Sequence, residues 1–215
     1  MTGPATGEPD RSSAAPMRAS GTRNAASAIL ILLALGLALR LIIAYILPGS
    51  GFAADLNAFR FWADNLATNG PWGFYERDFF HDYTPGYMYA LWFVGALQHL
   101  LPGFEFIKIP AMLADLVVGW LIWSMVLELG GSARAALIGA ALYLFIPVTW
   151  FDGTIWGQVD SFGLVFLLLG VRELWRDRPE WATAWAAVAA IVKPQLGILV
   201  PILIAVVLRR YLIDA

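Results

Sequence analysis

Continuous apolar runs, rather than alternating ones, organise this chain. They cover Ser27–Leu47, Pro85–Leu101, Ile107–Leu129, Arg134–Trp150, Ser161–Trp175 and Trp181–Leu208. A closed β-barrel alternates lipid-facing and lumen-facing residues, so unbroken runs of this kind predict helices. The first run is long enough to cross the ~30 Å hydrocarbon layer of a bilayer. Pro85–Leu101 is marginal: its 17 positions reach about 25 Å. It also carries Tyr87, Tyr89, Trp92, Gln98 and His99, residues suited to a membrane interface. The last run is interrupted at Lys193-Pro194, where proline removes a backbone donor, so a hairpin of two half-helices with Lys-Pro-Gln at its tip is expected.

Composition turns this pattern into a membrane assignment. The chain is 60% hydrophobic and 14% charged, with mean hydropathy +0.68. A soluble domain of this size could not bury so much apolar surface. The predicted fold class is all-α, a polytopic transmembrane helix bundle with interfacial amphipathic helices in a long first outer loop, about 48–106. Residues 1–26, rich in Ala, Ser, Gly, Pro and Thr and bearing Arg11, Arg18 and Arg23, read as a disordered cytoplasmic tail, and 27–215 as the transmembrane module. The absence of cysteine excludes thiolate catalysis, disulfides and cysteine metal sites. A net charge of −2 gives no support to a nucleic-acid partner.

Basic residues decide the orientation. If Pro85–Leu101 spans, Arg134 and the Arg172/Arg176/Arg178 group fall outside, against the positive-inside rule. If it lies along the interface, both fall inside with Arg209 and Arg210. The second arrangement puts three polar stretches on the non-cytoplasmic face: the acidic loop after the first helix, FDGTIWGQVDS at 151–161, and the Lys-Pro-Gln break.

The acidic loop carries Asp55, Asp64, Glu76, Asp78 and Asp82 among 11 aromatic residues between Ala53 and Tyr89. Asp55 precedes an amphipathic stretch, and spacing alone favours a helix cap; as chemistry it reads as a general base above the membrane. In DYTPGYMY, Thr84 and Pro85 suit the N-cap and first turn of a helix, and Asp82 sits just before its N-terminus, either as a solvated turn acid or as an ionised group. Arg77 and His81 are candidates to pair with Asp82 or to bind phosphate. In WGQVDS, Trp156 suits the interface, Gly157 a turn, and Gln158 and Asp160 the head of the next helix, with capping the bland role for Asp160. Asp152 adds a second carboxylate to this loop.

Lys193 is the strongest oddity, since Thr183 and Gln195 are the other polar side chains of its apolar segment before Arg209. An unpaired charge at the bilayer centre costs about 2.5–3.5 kcal/mol on insertion scales. Lys193 either snorkels to the outer surface or binds the phosphate of a lipid-linked substrate. Arg40 and Asp115 lie at matching depths, about 11 Å below the outer edge at 1.5 Å per residue, which predicts a buried ion pair rather than chemistry.

In this order, the residues resemble the GT-C superfamily of membrane glycosyltransferases. DLNAFRFW and DYTPGYMY are similar to the first loop of dolichyl-phosphate-glucose glucosyltransferases. GSARAALIGAALYLFIPVTWFDGTIWGQVDS looks like the lead into the second acidic loop of oligosaccharyltransferase catalytic subunits. WGQVDS with KPQLGILVP looks most like GPI mannosyltransferase 2-like and related polyprenyl-phosphate-mannose transferases. The resemblance spans roughly Ser27 to Leu208. It implies a catalytic Asp55 and Asp82, with Gln158, Asp160, Lys193 and Gln195 binding substrate; Trp156 and Arg77 join the substrate-binding set from their own positions in the polar loops. Thr84-Pro85-Gly86 stands where the family has Pro-Pro, and the second loop lacks the Asp-x-Asp pattern, so neither a cofactor nor a metal is expected.

The implied reaction is inverting transfer of a hexose, mannose by resemblance, from a polyprenyl-phosphate donor to a hydroxyl of a glycan, lipid or protein acceptor. Its setting is a multi-pass protein of the cell membrane (the endoplasmic reticulum membrane in a eukaryote), in contact with membrane lipid and active on its non-cytoplasmic face. Family members are longer, so the resemblance matches their N-terminal portion and makes a second membrane subunit a candidate partner. The rivals are a lipid-linked-sugar transporter or flippase, and a non-catalytic subunit of a longer transferase. A transporter places ionisable groups near mid-membrane and often shows repeats, whereas here most acids sit at one edge.

Overall fold

A computed structural model describes residues 15–47 and 51–212. Among the described residues nine α-helices follow one another: α1 (Ala15–Leu41), α2 (Ala53–Asn69), α3 (Pro85–Leu100), α4 (Ile109–Glu128), α5 (Ala133–Phe145), α6 (Pro147–Trp150), α7 (Asp160–Trp175), α8 (Pro179–Val192) and α9 (Leu199–Leu212). Wider π-helical turns extend α1 over Ile42–Ile46 and α6 over Phe151–Trp156, and 3₁₀ turns occupy Phe74–Glu76 and Pro194–Ile198. Among the described residues there is no strand.

Ala26–Ile46 and Ile109–Glu128 are long and apolar enough to cross a membrane. A third such unit exists if Ala133–Phe145 and Pro147–Trp156, bent by 45°, are taken as one. Leu30, Ile31 and Leu35 of α1 and Leu113, Val117 and Trp120 of α4 remain exposed, an outward apolar face suited to lipid. α3, with 16 residues, is not among the spanning candidates.

Three boundaries differ from the sequence reading. The first helix begins at Ala15, inside the stretch expected to be disordered, while residues 1–14 of that tail lie outside the described residues. Once a strongly apolar helix exists, extending it N-terminally through an Ala-containing stretch needs no new nucleus, and Pro16 suits a first turn. The expected Arg134–Trp150 helix is broken because Pro147 holds Ile146 extended (φ −63°, ψ 132°). The polar stretch after it continues as a helical turn instead of an open loop.

Two packing units meet at one end. α2 and α3 run parallel: Phe59 meets Tyr83 and Tyr87, whereas further along Ala63 meets Gly95 and Asp64 meets His99. α7 and α8 run antiparallel, with Gly163 against Val192 and Gly170 against Ala182. α9 folds back along α8, where Leu199 and Leu203 cluster with Ala182 and Ala186, giving the hairpin expected around Lys-Pro-Gln. At the other end, Glu128 accepts hydrogen bonds from Arg172 and Arg176 and so joins the tails of α4 and α7. Arg172 and Arg176 therefore lie at the end opposite the start of α7.

The predicted ion pair is present. Arg40 Nε lies 2.7 Å from Asp115 Oδ2, and both side chains are 0% exposed. Arg40 also donates to the carbonyls of Gly36 (3.1 Å) and Leu144 (3.0 Å). Tyr143 donates to Asp115 at 3.0 Å, and Ser161 also donates to it. Charges taken out of water need partners of this kind, and losing one partner strands the other. Asp115→Ala should therefore lower stability by about 3–5 kcal/mol. The paired Arg40→Met/Asp115→Leu change should recover most of the loss, read as the apparent melting temperature in detergent.

Candidate functional site

A cavity of about 600 Å³ opens where α2, α3 and α7 begin and α8 ends. Its size falls within the range of about 300–1,000 Å³ usual for small-molecule sites. Residues distant in sequence meet there: Asp55, Asp82, Trp156, Gln158, Asp160, Lys193 and Gln195 all line it. Of the candidates named from sequence for these roles, Arg77 and His81 do not.

Asp55 lies in the first turn of α2, whose N-cap is Phe52, so the capping role favoured by spacing does not hold. Its carboxylate instead reaches across to the turn before α7. Oδ2 accepts from Trp156 Nε1 at 2.7 Å and from Gln158 Nε2 at 2.5 Å. Gln158 in turn accepts from the Tyr83 hydroxyl at 2.8 Å. Burial, then the nearby carboxylates of Asp160, Asp55 and Asp82, push the Tyr83 phenol above its ordinary range, which keeps it a proton donor. The relay Tyr83–Gln158–Asp55 fixes one carboxylate oxygen and leaves Oδ1 outside these bonds. Gly157 makes the turn feasible: its φ of 88° is left-handed, and a Cβ would stand 2.4 Å from Leu56 of α2.

Asp160 is the first residue of α7, whose N-cap is Val159, so it too is not the cap. It receives Lys193 Nζ at 2.5 Å. Lys193 is engaged by this acid: its side chain is 17% exposed, and its extended backbone (φ −152°) ends α8 and starts the 3₁₀ turn through Gln195. The C-terminus of a helix favours a cation, so the break and the charge are mutually consistent.

α3 holds that break in place. Thr84 occupies the N-cap position but does not cap; its hydroxyl donates to the Val192 carbonyl at 3.1 Å. At Gly86 a Cβ would come within 2.8 Å of the Ile191 and Val192 backbone, so the glycine permits α3 to seat on α8. Asp82, just upstream and exposed, faces the same cavity.

Arg77 requires a correction. Its guanidinium donates to Asn65 Oδ1 and to the carbonyls of Asn69, Gly70 (2.7 Å) and Trp72 (3.0 Å), closing the C-terminal end of α2. The helix-end carbonyls there lack intrahelical partners, and a guanidinium satisfies several at once. His81 donates to the Tyr75 carbonyl at 3.0 Å and likewise stands outside the cavity lining. Neither is placed to bind a phosphate beside Lys193.

Four lining residues are acids (Asp55, Asp82, Asp152 and Asp160) and one, Lys193, is basic. Among the described residues no three His, Asp or Glu groups are arranged to hold a metal ion. The chain matches no known family, no curated protein and no solved structure.

Because the chain has no cysteine, that geometry is directly testable. An Asp55→Cys/Gln158→Cys pair should be joined by a short bifunctional thiol reagent, whereas Arg77→Cys/Lys193→Cys should not, as read by mobility shift after protease cleavage between the positions.

Proposed function

We propose that this protein is an inverting membrane glycosyltransferase that moves a hexose from a polyprenyl-phosphate donor to an acceptor hydroxyl on the non-cytoplasmic side. The observation that carries the reading is the meeting of Asp55, Gln158, Asp160 and Lys193 around one cavity at the end of apolar helices. A site that is polar at its centre and flanked by lipid-facing helices suits a substrate with a sugar phosphate head and a prenyl tail. The resemblance of its motifs to GT-C enzymes points the same way and makes mannose the first sugar to test.

In this mechanism the acceptor hydroxyl attacks the anomeric carbon from the face opposite the phosphate. The bond between that carbon and the phosphate oxygen breaks, and its electron pair leaves with the prenyl phosphate. Asp55, oriented by Trp156 and Gln158, takes the hydroxyl proton on its other oxygen. Lys193, aimed by Asp160, balances the charge that gathers on the leaving phosphate. Tyr83 and Gln158 hold the base in register, and such positioning supplies a large part of a rate enhancement. Arg77 has no part in this scheme.

Orientation belongs to the same proposal. The end bearing Arg172, Arg176 and Arg178 faces the cytoplasm, the cavity faces away from it, and α3 lies at the interface. Thiols at Asp82→Cys and Gln195→Cys should then react with a membrane-impermeant maleimide in intact cells, and one at Arg178→Cys only after permeabilisation.

The direct test is transfer of radiolabelled hexose from a panel of polyprenyl-phosphate donors. Asp55→Asn should lower turnover by more than about 100-fold, the usual worth of a positioned base, with expression and melting temperature retained. Full turnover by this variant would remove Asp55 from its role as base. Absence of transfer by the wild-type protein with every donor would overturn the enzyme reading.

A further inference from the structure

Asp152 is the one buried-side acid of the cavity that the scheme above leaves without a task. Its main chain is fixed: the carbonyl accepts from the N–H groups of Gly157 (2.9 Å) and Gln158 (3.0 Å). The next residue, Gly153, packs against the Asp115 carboxylate, where a Cβ would lie 3.3 Å from Oδ2. The residue is thus anchored on both sides, and its side chain is directed into the cavity lining.

The other acids differ in what they already hold. Asp55 accepts from two side chains, Asp160 from Lys193, and Asp115 from three. Among the described residues no donor reaches the Asp152 carboxylate, although the residue is half-buried. Asp82 also lacks a donor there, but it is exposed and solvated. A partly desolvated carboxylate with open acceptor positions favours a ligand that brings O–H or N–H groups. Within a sugar-transfer site, the matching groups are the hydroxyls of the sugar ring.

We infer that Asp152 is a substrate-binding residue that accepts hydrogen bonds from one or two hydroxyls of the transferred sugar. This rests on the glycosyltransferase reading and adds to it a residue that selects the sugar. It also implies a neutral sugar, since a uronic acid would set its carboxylate against Asp152 and Asp160.

The test crosses the residue with the ligand. Asp152→Asn, with Asp152→Ser as a second variant, is compared with wild type on prenyl-phosphate hexose and on its 2-, 3-, 4- and 6-deoxy analogues. Loss of one hydrogen bond to a charged acceptor should raise KM by about 10- to 100-fold with kcat little changed. At one or two ring positions the deoxy donor should lose that factor in wild type and lose nothing further in the variants. Equal deoxy losses in wild type and variants at all four positions, or unchanged KM in both folded variants, would overturn the assignment. Saturation-transfer NMR of the same donors on detergent-solubilised protein decides the point independently of turnover. Binding through the sugar ring that weakens in Asp152→Asn supports the assignment even if no acceptor is found, and an identical ring contact in wild type and variant removes it. Failure of the transferase reading is recognised separately, by wild type that transfers from no prenyl-phosphate donor.

Discussion

A carboxylate with no access to water holds this bundle in register. Asp115, near the start of α4, gathers Arg40 from α1, Tyr143 from α5 and Ser161 from α7, and Gly153 presses against it from the turn before α7. Apolar helix faces alone tolerate sliding and rotation, because dispersion contacts vary little with register. A buried ion pair does not, since any displacement leaves a charge uncompensated. Ser161 adjoins Asp160, and Gly153 adjoins Asp152, so the same constraint fixes both acids of the second loop. The helix interior and the cavity are thus one mechanical unit.

A second constraint comes from the other side. α3 approaches the backbone of α8 closely enough to require glycine, and a threonine hydroxyl takes up a carbonyl at the point where proline ends that helix. Lys193 inherits its position from this seam and its direction from Asp160. A charged side chain in an apolar segment, a proline next to it, and an acid at a helix start are three separate irregularities in sequence. In space they satisfy one another.

Much of this was legible beforehand, and the pattern of success has a physical basis. Continuous apolar runs located most of the later helices to within a few residues, because burial and propensity agree there. The Arg40–Asp115 pair followed from depth along two helices, since few partners exist for a charge in such surroundings. The gathering of Asp55, Gln158, Asp160 and Lys193 followed from placing three polar stretches at one end. What failed was local detail governed by distant partners. Asp55, Thr84 and Asp160 sit where caps are expected, yet each spends its side chain on another helix. Arg77 looked available for a ligand because nothing in its neighbours reveals that the end of α2 returns to meet it. Tyr83 is in sequence one of 11 aromatic residues of the first loop, and only its hydroxyl's contact with Gln158 shows it to be part of the relay.

The parallel course of α2 and α3 forces the intervening segment to retrace the length of a helix. That return is fastened repeatedly: the Trp62 indole donates to the Phe80 carbonyl at 2.9 Å, Tyr75 donates to the Tyr83 carbonyl at 2.9 Å, and the Phe61 and Phe79 rings meet edge to face. A connection stitched down along its course acts as a strut and not as a swinging flap. The rim that Asp82 and Tyr83 contribute is consequently a rigid extension of α2, and a ligand has to fit that edge as it stands.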